Sequence, residues 1–132
     1  VVVAAWRPGA VPTEWPFRGL AGLPLVLAPR PNSLAATVAD LAARHQIKLD
    51  VVLEAGSSAL MRDAVALAGL ATLVPKYFAE REYAGAEFTR IPLVKPAIRQ
   101  QAWLALTSQR PASLAVRTVA RVVLEMAPGS RG

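Results

Sequence analysis

Apolar and polar positions along this chain fall into short blocks whose period switches several times between strand-like and helix-like. The opening run, Val1-Val2-Val3-Ala4-Ala5-Trp6, is β-branched and predicts a strand. Arg7 to Gly22 then carries four glycines and prolines before Phe17 (Pro8, Gly9, Pro12, Pro16) and two glycines after it, which predicts a loop with at most a helical turn near Phe17 to Ala21. Leu23 to Ala28 is apolar on both faces, the mark of a strand inside a parallel sheet. Pro29-Arg30-Pro31 stops it, and Asn32 or Ser33 is suited to cap a helix. Leu34, Val38, Leu41 and Ala42 then share one helical face, with Thr37, Asp40 and Arg44 opposite, and the helix ends at His45 or Gln46.

The same alternation repeats. Leu49 to Glu54 reads as a strand, Gly56 as a turn, and Ser57 or Ser58 as a cap. Leu60, Met61, Ala64, Val65 and Ala68 form the expected apolar stripe of the next helix, which Gly69 stops. Leu70 to Val74 is a further strand closed by Pro75, and Tyr77 to Glu82 a short helix. Short connections and apolar strands argue for parallel pairing through crossovers. Glu87 to Val94 resumes as a strand, which Pro92 and Pro96 place at an edge or at a crossing between subdomains. Ala102 to Leu106 reads as a last strand. The final helix, from Pro111 or Ser113, carries the stripe Leu114, Ala115, Val119, Val122, Val123 and Met126, and Pro128 to Gly132 a frayed tail.

A chain of 132 residues, 54% of them hydrophobic, is long and apolar enough for one domain with a real core, so disorder is excluded as a class. The net charge is +6, but the fifteen basic residues are spread from Arg7 to Arg131 without a run of neighbours. That describes an Arg-rich surface rather than a nucleic-acid patch, and leaves the expectation that a bound small molecule is an anion. There is no cysteine, which removes disulfides and thiol chemistry and fits a reducing cytoplasm. The longest uncharged run, Ala64 to Pro75, is far short of the roughly 18 residues of a membrane span.

The chemistry of catalysis is thin. The only histidine, His45, sits at a predicted helix C-terminus, where the dipole favours a cation and capping accounts for it. Gly56-Ser57-Ser58 follows a strand and opens a helix but lacks the Gly-x-Ser-x-Gly pattern of a nucleophile elbow. One histidine and scattered acids argue against a metal site, and Glu80 and Glu82 do not share a helical face. No phosphate-cradling glycine motif occurs, so no cofactor is expected. What remains is a ligand site. In an open parallel sheet ligands bind beyond the C-terminal strand ends. Three loops occupy that edge: Pro29 to Ser33, Ala55 to Ser58, and Pro75 to Tyr77. Two lead into helix N-termini that favour anions, and Arg30 can clamp a carboxylate.

An ordered set of segments resembles the ligand-sensing domain of LysR-type bacterial transcription regulators. It comprises Leu23-Pro24-Leu25-Val26-Leu27-Ala28-Pro29-Arg30-Pro31-Asn32-Ser33-Leu34, Val52-Leu53-Glu54-Ala55-Gly56-Ser57, and Ala68-Gly69-Leu70-Ala71-Thr72-Leu73-Val74-Pro75, with Ala71 where the family usually has glycine. The resemblance runs from about Val1 to Met126. It implies an α/β, periplasmic-binding-protein-like (type 2) fold: one Rossmann-like subdomain over residues 1–94, and a return segment, 95–132, belonging to the first subdomain. It also implies a small effector in the cleft between subdomains, meeting Pro29, Arg30, Pro31, Asn32, Ser33, Gly56, Ser57 and Pro75. Further implications are a homo-oligomer (dimer or tetramer) in the full-length protein, DNA contacted only through an N-terminal winged helix-turn-helix outside this sequence, no membrane partner, and a cytoplasmic location. On this reading the chain is an N-terminally truncated sensor. A fragment of a transport solute-binding protein shares the fold and is the alternative; an enzyme on the same fold is opposed by the shortage of acid, base and nucleophile.

Overall fold

The computed structural model describes residues 2–6, 11–100, 105 and 113–127. The chain divides into two compact units, Val1–Gln100 and Gln101–Gly132. The first is built on six strands in the order β2-β6-β1-β5-β3-β4.

β3 (Pro24–Leu27), β4 (Asp50–Glu54) and β5 (Ala71–Val74) run parallel, as the apolar blocks predict. Between them come α1 (Ser33–Arg44) and α2 (Ser58–Ala68), and α3 (Lys76–Glu82) follows β5. β1 (Val2–Trp6) lies between β5 and β6 (Phe88–Val94) and is antiparallel to both, a direction that a run of valines does not encode. β2 (Trp15–Pro16), within the expected loop, pairs parallel with the end of β6. β6 is therefore an edge strand over Phe88–Pro92 only, because β2 covers its last two residues.

Alternation along the strands builds two cores. Leu25 and Leu27 of β3, with Ala71 and Leu73 of β5, face Leu34, Val38 and Ala42 of α1, and Phe17 and Leu20 of a 3-10 helix over Phe17–Gly22. The predicted helical turn is thus part of the core. Val26 and Val74 point to the other face, against Ala64 and Val65 of α2 and Ala79 and Tyr83 at α3. In α2 the expected stripe is narrower than its spacing: Leu60 is 50% exposed and Ala68 is also outside. The first turn of α2 rises from β4, the sheet edge, so one flank of it has no strand beneath. β4 carries a bulge at Val52, because Leu25 pairs with Val51 and Val26 with Leu53.

The second core is tied together by Arg62. Its Nε donates to the Glu82 carbonyl at 3.0 Å and its guanidinium stands 5.1 Å over the Phe88 ring, joining α2 to the end of α3 and the start of β6. Tyr83 packs edge-on against Phe88. Its buried hydroxyl, like that of Thr72, has no hydrogen-bond partner among the described residues. Burial pushes the Tyr83 phenol up to about 12, with Arg62 pulling the other way and Glu82 adding to the rise.

In the second unit, α4 (Leu114–Met126) starts at the predicted cap, with Ser113 Oγ accepting from the Val116 amide at 3.2 Å. Of its described residues only Ala120 is buried. The strand expected at 102–106 lies outside the described residues except Ala105, which is in neither helix nor strand, and so does the tail expected at 128–132.

Candidate functional site

Parallel strands bring their C-terminal ends to one edge, and the loops that leave it define the site. β3 sends its chain to α1 on one face of the sheet, whereas its neighbour β5 sends its chain to α3 on the other. Loops that diverge to opposite faces from adjacent strands open a crevice between them, the switch point at which open α/β sheets take ligands. The register sets the two strand ends side by side: Leu25 pairs with Ala71, so Leu27, the last residue of β3, falls level with Leu73, one residue before the end of β5. The β4 loop stands beside them, since Leu27 pairs with Glu54 and the Ala55 amide donates to the Leu27 carbonyl at 3.0 Å. The edge therefore brings together all three segments singled out from the sequence.

Two of the residues singled out are helix caps, as their sequence positions predict. Asn32 caps α1: its Oδ1 accepts from the Leu34 amide at 3.0 Å and from the Ala35 amide at 3.1 Å. Ser57 caps α2 in the same way, accepting from Leu60 at 3.1 Å. The helix N-termini thus offer an anion fewer amide donors than an uncapped end, and the attraction shifts to side chains. The Asn32 amide also donates to the Pro29 carbonyl at 3.1 Å, closing Pro29 to Asn32 into a turn that carries Arg30 and Pro31 exposed at its tip. Arg30 has no ion-pair partner among the described residues. Ser33 is the first residue of α1. Gly56 is exposed, its φ is not positive, and an added Cβ would meet nothing within 4 Å, so neither backbone nor packing demands glycine there. Pro75 is half-buried and precedes α3 without a side-chain cap.

Sequence reasoning passed over Lys76, the first residue of α3, which pairs with Glu80 at 3.8 Å with both side chains largely exposed. Its position one residue after a strand-closing proline was the available signal. Glu54, at the end of β4, is the acid of this edge. His45 is the C-cap of α1, and its ring lies 5.9 Å from that of Phe17, a packing role. Among the described residues no group of acids and histidines is placed to hold a metal, and no helix is long and apolar enough to cross a membrane.

A surface pocket of about 500 Å3 opens elsewhere, at the start of β4, lined by Arg18, Gln46, Ile47, Lys48 and Asp50 among others. It lies at the N-terminal ends of the parallel strands, away from the diverging loops, and topology gives it no role.

Comparison with known proteins agrees with the fold. The regulatory domain of Synechocystis CcmR, solved in complex with 2-PG, superposes with a TM-score of 0.79 at 20% identity, over 97% of this chain and 62% of that one. The chain thus spans less than two thirds of that domain. HinK, a LysR family transcriptional regulator from Pseudomonas aeruginosa, superposes with a TM-score of 0.57 at 18% identity, over 72% of this chain and 34% of that one. No curated protein matches. The model of the LysR substrate binding domain matches residues 1–128. With the antiparallel β1 set among parallel strands, a periplasmic-binding-protein-like type 2 arrangement, the chain belongs to the LysR substrate binding domain family.

Proposed function

We propose that this chain senses a small anionic effector, a carboxylate, for a LysR-type transcription regulator, and acts by binding rather than catalysis. The effector sits in the crevice between the β3 and β5 loops and meets Pro29, Arg30, Pro31, Asn32, Ser33 and Pro75, with Gly56 and Ser57 at its β4 side. The observation that carries this reading is the divergence of α1 and α3 from adjacent strands, with the unpaired, exposed Arg30 at its rim. That the CcmR regulatory domain was solved with 2-PG supports a small molecule as the occupant.

In this proposal residues 1–94 form the second effector subdomain and 95–132 return to the first, the rest of which lies outside this chain. The exposed stripe of α4 and the 62% coverage of the CcmR domain support that division. Closure of the completed cleft changes how sensing domains pack in a cytoplasmic homo-oligomer, and DNA is contacted through a separate N-terminal domain. Thermal-shift titration with small carboxylates tests the reading. A saturable rise that Arg30→Gln weakens by about tenfold is expected. Hits confined to neutral or cationic compounds, or no dependence on Arg30, overturn it.

A further inference from the structure

A third cation stands at the same edge. β6 runs parallel to β5, because both are antiparallel to β1, and Val2 pairs with both Val74 and Pro92. Pro92 is therefore level with Val74, and Lys95, just beyond the end of β6, leaves the same edge of the sheet as Arg30 beyond β3 and Lys76 beyond β5. With strands about 4.8 Å apart, the Arg30 and Lys76 lanes are neighbours, and the Lys95 lane is about 10 Å beyond that of Lys76 across β1. Long cationic side chains from these lanes can meet one small molecule lying over β5 and β1.

Lys95 also has an unusual backbone. Its φ is 56°, one of two positive values at described non-glycine residues. A side chain in the left-handed region costs free energy that the surroundings must offset, and such residues gather at functional sites. Lys95 is exposed and has no ion-pair partner among the described residues. The other charges of this edge sort by position. Glu54 lies on the β4 side, beyond Arg30, and Glu80 pairs with Lys76. From β3 to β6 the rim therefore has Arg30 and Lys95 as uncompensated cations.

Resting on the anion reading above, we infer that Lys95 is an effector-specificity residue: with Arg30 across the crevice, it selects an effector with two anionic groups over one with a single anionic group. A monoanion satisfies Arg30 alone, whereas a dianion neutralises both ends of the rim.

The test titrates the 132-residue chain with succinate and, separately, butyrate, which has the same carbon count and one charge, following amide chemical shifts. Succinate is expected to bind about tenfold more tightly. Lys95→Gln is expected to bring succinate down to the butyrate level while butyrate changes less than about twofold, and Lys95→Arg to keep the preference. Equal binding of the two anions, or a preference that survives Lys95→Gln, overturns this inference and leaves the anion site standing. Loss of both anions to the same degree in Lys95→Gln also overturns it, since Lys95 would then act without selecting. If neither anion binds the wild-type chain while a neutral compound does, the anion reading itself falls, and this inference with it.

Discussion

α1 and α4 are near twins in sequence pattern and opposites in structure. Each is amphipathic, with 12 and 13 residues, and each starts at a polar side chain that accepts from its first-turn amides, Asn32 for α1 and Ser113 for α4. α1 buries Leu34, Val38 and Ala42 against the sheet. α4 leaves Leu114 at 74% and Met126 at 79% exposure, and of its described residues buries Ala120 alone. Helical periodicity therefore announces an apolar face but not the surface that covers it. The pattern is written locally, while burial depends on which other elements are present.

Truncation mutants separate the two helices most sharply. Leu34→Ala should cost about 2–5 kcal/mol in urea unfolding, because it opens a cavity in the α1 core. A loss below about 1 kcal/mol would mean that α1 is not held as described. The next effect concerns a covered face with an orphan polar atom. Tyr83→Phe should raise stability by about 1–2 kcal/mol, since the buried hydroxyl has no partner to lose. The same residue links stability to pH. The folded state keeps the phenol proton up to about 12, while the unfolded chain releases it near the ordinary value of 10. Stability is therefore undiminished by this group below 10 and falls as pH rises from 10 towards 12. Thermal melts across that window should lose their Tyr83-dependent drop in Tyr83→Phe and keep it in a variant of the exposed Tyr77.

Removing the cap in Asn32→Ala should cost about 1 kcal/mol, whereas an unchanged melting temperature would show that the Oδ1 contacts add nothing. The smallest effect belongs to α4: Leu114→Ala should change stability by less than about 0.5 kcal/mol in this chain. A loss comparable to that of Leu34→Ala would place a cover over α4 that its exposure does not allow.

The order of elements was legible because each strand and helix carries its own period and its own punctuation. Asn32, Ser57 and Gly69 mark boundaries by local hydrogen bonding or, at Gly69, by a φ of 67°. What was illegible is set at a distance. Nothing local in Val2–Trp6 says that this strand runs against β5 and β6, and nothing in Trp15–Pro16 says that it pairs with residues nearly eighty positions away. Phe17 and Leu20 sit among glycines and prolines that disguise a buried 3-10 turn. At the site, the three loops could be read from strand ends. That β5 lies beside β3, so that the turn from Pro29 to Asn32 and the start of α3 leave adjacent strands, needed the sheet order.

The central claim is that small anions bind where the β3 and β5 loops diverge. Mapping backbone amide shifts of the isotopically labelled chain during a succinate titration tests it most directly. Saturable shifts gathered at residues 29–34 and 75–77, with smaller ones at 56–58 and at 94–95, are the predicted result. Shifts gathered instead at Arg18 and Gln46 to Asp50, at the other end of the strands, would contradict it.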